Sequence, residues 1–441
     1  MVLKQGGSQH GIARTSRVRT EAQKQQDLER IQKYRDLESH LRKLVSASDY
    51  SCDTFDLTTK LLKLNPEYYT AWNVRRRTLI SGLFSRRSDG SSCWRGCSSS
   101  SRCDTTTTCS AASLSSSLTR ILPSRAYQTT GRSGTTADQD VSDAATPNDT
   151  TTPTPEDEES QKKDSEIIKS ELFFTIPLLL ESPKCYWIWS YRLWILGQSV
   201  LLLPVPIAKK IWQEELGLAS KMLAKDCRNF HAWGYRRHVV SRLESKELGG
   251  ESLVESEFAY TDRMIRGDLS NFSAWHSRSK LIPRLLNERV AGEKERKGFL
   301  DAELNQIREA LNVGPEDQSL WYYHQFLIDN LVSPVGRPTI VPTLTVEERV
   351  MYLTNEITEI KDLLEDYKDV KLIYEALLEY TLGLCQLIER KPEEDERQDL
   401  ISWVKKLKEL DPMRMGRWID LERDSGLTEL LPGWSGQPKH Y

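Results

Sequence analysis

The chain has 441 residues, 38% hydrophobic and 28% charged, with a formal net charge of −3. That balance excludes a strongly basic nucleic-acid binder and leaves no field directed at a membrane surface. At roughly 150 residues per domain the length alone suggests about three domains; the odd number in the composition is twelve tryptophans.

Residues 1–20 read as an N-terminal arm, and the stretch Met1 to His10 lacks the apolar core of a secretory signal. Helical periodicity begins at 21–45, and residues 21–84 hold the N-terminal helices and a first repeat. Between Ser85 and Pro155, 30 of 71 residues are Ser or Thr, and the apolar ones follow neither a helical nor a strand period. Such a stretch cannot bury enough surface to offset its chain entropy. Residues 85–160 therefore read as a disordered low-complexity insert that closes in the acidic run Glu156 to Glu159. A phosphorylated regulatory loop, a tolerated surface insertion and a translated, unspliced intron are the three readings of it.

Periodicity resumes in 208–224, 252–266, 293–312, 347–364 and 397–410, so that 161–430 holds the remaining repeats and 431–441 a tail. The apolar runs 172–180 and 200–208 are nine residues each and carry prolines, whereas a bilayer needs about 20. Eight cysteines without a Cys-x-x-Cys pair fit a reducing compartment, and a soluble cytoplasmic protein is expected.

The tryptophans mark a repeat. Blocks centred on Trp72, Trp189, Trp233, Trp275, Trp321 and Trp418 share one layout. Seven residues before each comes Asn65, Ser182, Asp226, Asp268, Gly314 or Asp411, read as N-caps, and in four blocks Pro follows at the first helical position. Three residues before the Trp stands Tyr69, Tyr186, Phe230 or Phe272; three after it stands Arg75, Arg192, Arg236 or Arg278. Positions i and i+3 share a side of a helix, so each block presents an aromatic stripe ending in a guanidinium. The spacings 44, 42 and 46 from Trp189 to Trp321 define the period. The gap of 97 to Trp418 hides a member near Leu372, and 117 − 71 = 46 carries the register across the insert.

About seven helix pairs of this period make an α-solenoid. The tryptophans are expected in its core. The arginines pair with carboxylates of a neighbouring repeat or line an edge for a ligand, the first being favoured. The seven histidines are dispersed, and there is no Gly-rich phosphate loop or nucleophile motif.

The pattern Asn-Tyr/Phe-x-x-Trp-x-x-Arg resembles the α subunit of protein prenyltransferases. Asn229, His231, Trp233 and Arg236 carry it in one block, and Asn271, Trp275 and Arg278 in the next. The segment His10-Gly-Ile-Ala-Arg14-Thr-Ser-Arg17, followed by a Gln/Glu-rich helix, resembles the start of the type II, or Rab, geranylgeranyltransferase group in its shorter fungal form. The resemblance implies an all-α fold, a right-handed α-α superhelix (solenoid) of helix-pair repeats forming a crescent around a β subunit. It implies that the zinc and the isoprenoid pocket belong to that β subunit, and that this chain alone binds no cofactor. Geranylgeranyl would pass from geranylgeranyl diphosphate to C-terminal cysteines of Rab GTPases presented by a Rab escort protein. Arg228, in Arg228-Asn229-Phe230-His231, would contact the diphosphate across the interface, and His10 would act as an autoinhibitory ligand to the β-subunit zinc. The alternatives are the α subunit of farnesyl and type I enzymes, and a binding-only tetratricopeptide-like scaffold. The period of the latter, about 34, does not match.

Overall fold

The computed structural model describes residues 20–85, 154–332 and 339–427. All their regular structure is helical. A lone helix α1 (Glu21–Ser46) precedes α2 (Cys52–Leu64) and α3 (Tyr69–Thr78); α4 (Pro155–Glu181) and α5 (Tyr186–Leu202) follow, then α6 (Val205–Lys225) and α7 (Phe230–Leu243). Next come α8 (Val254–Gly267), α9 (Phe272–Glu288), α10 (Glu293–Val313) and α11 (Gln318–Val332). The series ends with α12 (Val346–Asp366), α13 (Lys371–Leu387), α14 (Glu394–Leu410) and α15 (Met415–Asp424). From α2 onward these are seven antiparallel pairs, a helical-repeat solenoid with one continuous core. No helix among the described residues is long and apolar enough to cross a membrane.

Each pair is joined by one kind of turn. The first helix ends at Asn65, Ser182, Asp226, Asp268 or Gly314, whose amide closes the last helical turn. Three residues on, the amides of Tyr68, Cys185, Asn229, Asn271 and Asp317 donate back to the carbonyls of those same residues. The positions expected as N-caps are therefore C-caps of the preceding helix. Pro66, Pro183 and Pro315 lie inside the turn, where a fixed φ suits the second position. Pro412 alone opens a helical turn, the short 3-10 segment Pro412–Arg414. The second helix starts three residues later than the sequence suggests. Asn229 and Asn271 cap it, their side-chain oxygens accepting from Ala232 N and Ala274 N at 3.2 and 3.1 Å.

All six repeat tryptophans are buried. Five donate through Nε1 to the carbonyl six residues back, such as Trp233 to Cys227 at 2.9 Å and Trp275 to Leu269 at 2.8 Å. The same geometry identifies the hidden member. The hydroxyl of Tyr374 donates to the carbonyl of Lys368, also six back, at 2.7 Å. Tyr374, not Leu372, takes the tryptophan's place.

The acidic run Glu156 to Glu159 belongs to α4 and not to the insert. Thr154 and Asp157 form a capping box with Pro155 at the first position, and carboxylates in a first turn favour a helix. Residues 86–153 of the expected insert lie outside the described residues. On its near side the amide of Ser85 donates to the buried Asp164 at 2.7 Å, and α3 packs against α5, so the repeat register is continuous across the gap.

Candidate functional site

The repeated arginines are buried and paired. Arg75 meets Glu171, Arg192 meets Glu215, Arg236 meets Glu257 and Arg278 meets Glu303, at 2.5 to 2.6 Å. Each glutamate lies on the first helix of the following pair, and each contact is a two-pronged fork of guanidinium on carboxylate. Three of these carboxylates also accept from a phenol of their own pair: Tyr191 on Glu171 at 2.5 Å, Tyr235 on Glu215, and Tyr323 on Glu303. Burial, and then the adjacent carboxylate, hold all three phenols well above their ordinary range. Burial opposes the charge on Arg192, but Glu215 and Tyr235 together outweigh it and the guanidinium is held above its usual basicity. Rungs of Arg, Glu and Tyr thus tie repeat to repeat.

The ladder changes character at two places. Ser277 stands where the third rung would have its tyrosine, and its hydroxyl is buried without a partner. Beyond the fourth rung His324 replaces arginine. Its ring, fully buried, lies 3.0 Å from Glu356 and 2.8 Å from the hydroxyl of Tyr380.

The glutamates went unread in the sequence, although a signal exists. Glu171, Glu215, Glu257 and Glu303 each precede their tryptophan by 18 residues, and Glu356 precedes Tyr374 by the same 18.

The asparagines serve the turns. Asn229 Nδ2 donates to the carbonyl of Pro183 and Asn271 Nδ2 to that of Cys227, both at 3.1 Å, so each locks its turn onto the turn of the preceding repeat. Arg228 stands on this same exposed edge, with its guanidinium 3.2 Å from Asp268 of the next turn. The ring of His231 lies tilted against that of Phe230 at 4.0 Å, and burial lowers its pKa. His10 lies outside the described residues.

The aromatics three before the tryptophans are not part of the buried stripe. Tyr69, Tyr186, Phe230 and Phe272 open the second helices and point outward, and Tyr322 continues the row. These five rings are 48% to 66% exposed. Ring contacts link them: Tyr69 to Trp187 at 5.4 Å, Tyr186 to Trp187 at 5.3 Å and to His231 at 6.4 Å, and Phe272 to Tyr322 at 5.9 Å. So large an apolar edge marks a surface made for a partner. Among the described residues no three His, Cys, Asp or Glu side chains gather as a metal site. The arginines and phenols that repeat most regularly are spent on structure. The chemistry this surface offers is recognition, with aromatic rings, turn-edge cations and half-buried imidazoles.

Five stretches, 52–81, 168–199, 212–243, 254–285 and 300–331, match the protein prenyltransferase alpha subunit repeat. They fall on the pairs from α2–α3 to α10–α11. The chain is 29% identical over 419 residues to the geranylgeranyl transferase type-2 subunit alpha of Schizosaccharomyces pombe, covering 94% of this chain and 97% of that one. It is 28% identical over 439 residues to the protein of the same name from Candida albicans, covering 93% and 97%. Its fold is similar to a chain of the solved structure described as Candida albicans protein geranylgeranyltransferase-I complexed with GGPP. The TM-score is 0.51 at 19% identity, over 90% of this chain and 91% of that one.

Proposed function

The chain belongs to the protein prenyltransferase alpha subunit family, and we propose that it is the non-autonomous α subunit of a heterodimeric Rab geranylgeranyltransferase. The observation that supports this most directly is the exposed aromatic edge from Tyr69 to Tyr322, a surface that a second subunit would bury. The likeness to type-2 alpha subunits over most of the chain favours that subunit's being a type-2 β chain.

In this reading the β subunit holds the zinc and the isoprenoid diphosphate. A zinc ion held by that subunit would favour the thiolate of a Rab C-terminal cysteine. That thiolate would attack C1 of geranylgeranyl diphosphate, forming the C–S bond as the C1–O bond breaks and diphosphate leaves. This chain contributes positioning and charge. Arg228, on the turn edge beside Phe230 and 3.2 Å from Asp268, would meet the leaving diphosphate in this proposal, since a guanidinium can bind phosphate through two N–H groups. A Rab escort protein would present the substrate.

Co-expression with a type-2 β subunit tests the reading. The expected result is a stable heterodimer that prenylates a Cys-Cys-tailed Rab with its escort protein and leaves a CaaX peptide unmodified. Failure to co-purify, or a preference for the CaaX peptide, overturns it.

A further inference from the structure

Among the described residues the solenoid closes with α15, which packs on α14 and has no further pair stacked on it. The way α15 ends sets the direction of the chain. Gly426 takes the left-handed conformation, at φ +64°, and the amides of Gly426 and Leu427 donate to the carbonyls of Arg423 and Glu422. That pair of bonds ends a helix by reversing the chain, and it brings the residue after the glycine against the last helical turn. Leu427 is accordingly buried, in the same core against which Leu421 packs. The chain is turned back along the inner side of α15.

Leu421 also lines a slot. A cavity of about 280 Å³ lies between α11, α13 and α15, with an apolar wall of Ile328, Val332, Leu378, Leu382 and Leu421. Its charges are balanced, Glu375 and Glu379 standing with Arg417 while Arg414 approaches Glu375. One hydrogen-bond acceptor is left over. Oε1 of Glu375 is buried and accepts from no donor, with Arg414 at 3.8 Å, beyond hydrogen-bonding reach. A buried oxygen in that state calls for an N–H or O–H.

Residues 428–441, outside the described residues, carry groups of the kind the slot calls for. Leu430, Leu431 and Trp434 fall within five positions, around the turn dipeptide Pro432-Gly433. At about 3.3 Å per residue, Leu430 reaches roughly 10 Å from Leu427 and Trp434 roughly 25 Å, which brings all three to the slot.

We infer that this segment folds back into the slot: Leu430 and Leu431 lie on the wall of Ile328, Val332 and Leu382, and the indole N–H of Trp434 donates to Oε1 of Glu375. The leucines gain by leaving water. An indole donates one hydrogen bond and brings no charge, which suits an acceptor whose charge is already balanced. The segment then does for the last pair what each following pair does for the one before it, capping the end of the solenoid. The inference is independent of the subunit assignment above.

The experiment uses the full chain. A photoreactive benzophenone side chain replaces the exposed Gln386 at the rim of the slot, and the crosslinked peptides are identified by mass spectrometry. The expected product joins α13 to residues 428–441 within one molecule, as its size on a denaturing gel shows. Leu431→Ser with Trp434→Ser should abolish that product and lower the thermal midpoint of the chain by about 2 °C or more. Trp434→Phe, which keeps a ring but loses the N–H, should fall between that variant and the parent. A crosslink to another element or to a second copy, no crosslink, or a product that survives the serine substitutions overturns the inference. So does a serine variant with the midpoint of the parent. A phenylalanine variant as stable as the parent overturns the assignment of the indole to Glu375.

Discussion

The ring of Tyr260 lies 5.9 Å from that of Trp233, edge-on, in a place that the other repeats fill from a different helix. Trp72, Trp189 and Trp275 are each met by the tyrosine of the next pair's second helix, Tyr191, Tyr235 and Tyr323, at 4.6, 5.0 and 4.5 Å. In the fourth pair that residue is Ser277, and Tyr260 swings in from α8 to cover the tryptophan and lie over Arg236 at 3.4 Å. The exchange leaves the hydroxyls of both Tyr260 and Ser277 buried and unpartnered. Ser277→Tyr alone is expected to overpack the site and destabilise by about 1–3 kcal/mol. Combined with Tyr260→Ala it should recover part of that loss. A double-mutant cycle by urea unfolding reads the coupling; strictly additive effects would refute the exchange.

Arg192 and Glu215 should behave as a buried pair in which a lone survivor is costly. Arg192→Leu strands Glu215 and is expected to cost about 3–5 kcal/mol. Arg192→Leu with Glu215→Leu should cost clearly less, because no uncompensated charge remains. Denaturant midpoints of the two variants decide it, and a double variant as unstable as the single one contradicts the electrostatic account.

Trp233 combines volume with a hydrogen bond. Trp233→Ala should lose about 3–5 kcal/mol. Trp233→Phe, which keeps the ring but abandons the Cys227 carbonyl, should lose roughly 1–2 kcal/mol. A loss under about 1 kcal/mol for the alanine variant would place the ring outside the core.

The repeat was legible because indole is rare and its spacing regular. The turns were misread because Asn, Asp, Ser and Gly suit a C-cap turn as well as an N-cap, and only backbone geometry separates the two. The exposed rings were misread for another reason. Tyr69 and Phe230 lie one turn before their tryptophans on roughly the same side, but in the first helical turn, at the edge of the solenoid, where more than half of each side chain stays exposed. The glutamates were hidden because a single carboxylate in an amphipathic helix looks like any solvated residue until the fixed distance of 18 to the tryptophan is noticed.

Acid should act on the C-terminal pairs through Glu396. Its hydrogen bond from Arg390 holds its carboxyl at about 2, against 4.5 for the free group. A folded-state pKa below the unfolded one means that the stabilisation is complete above pH 4.5 and is lost as pH falls toward 2. Glu396→Gln should therefore flatten the fall in thermal midpoint across that window while changing little of the slope at higher pH. Parallel curves for variant and parent would argue against it.

Removal of 86–153 tests what the fold needs of that segment. Ser85 sits against Asp164, ten residues along α4 from Thr154, a separation of about 15 Å at 1.5 Å per residue. A Gly/Ser linker of about eight residues spans that distance. A chain so shortened is expected to keep its helicity and thermal midpoint. One cut back through Ser85 and Thr154 should be less stable, since it loses a buried acceptor's partner and an N-cap, the latter worth about 1 kcal/mol. Equal stability of the two would show that neither contact matters.

Each shared carboxylate also says something about how such a chain can grow. A pair of helices begins with a glutamate that looks back to the previous arginine and ends with an arginine that looks forward to the next glutamate. Every such unit carries the same plug and the same socket. A unit copied or excised whole leaves matching ends at the seam, whereas a cut inside a unit leaves a charge facing nothing. Gain or loss of whole helix pairs is thus a change in helical length that the interior electrostatics tolerates without repair. His324 is the point where the socket changes type, so pairs beyond it cannot be exchanged freely with those before.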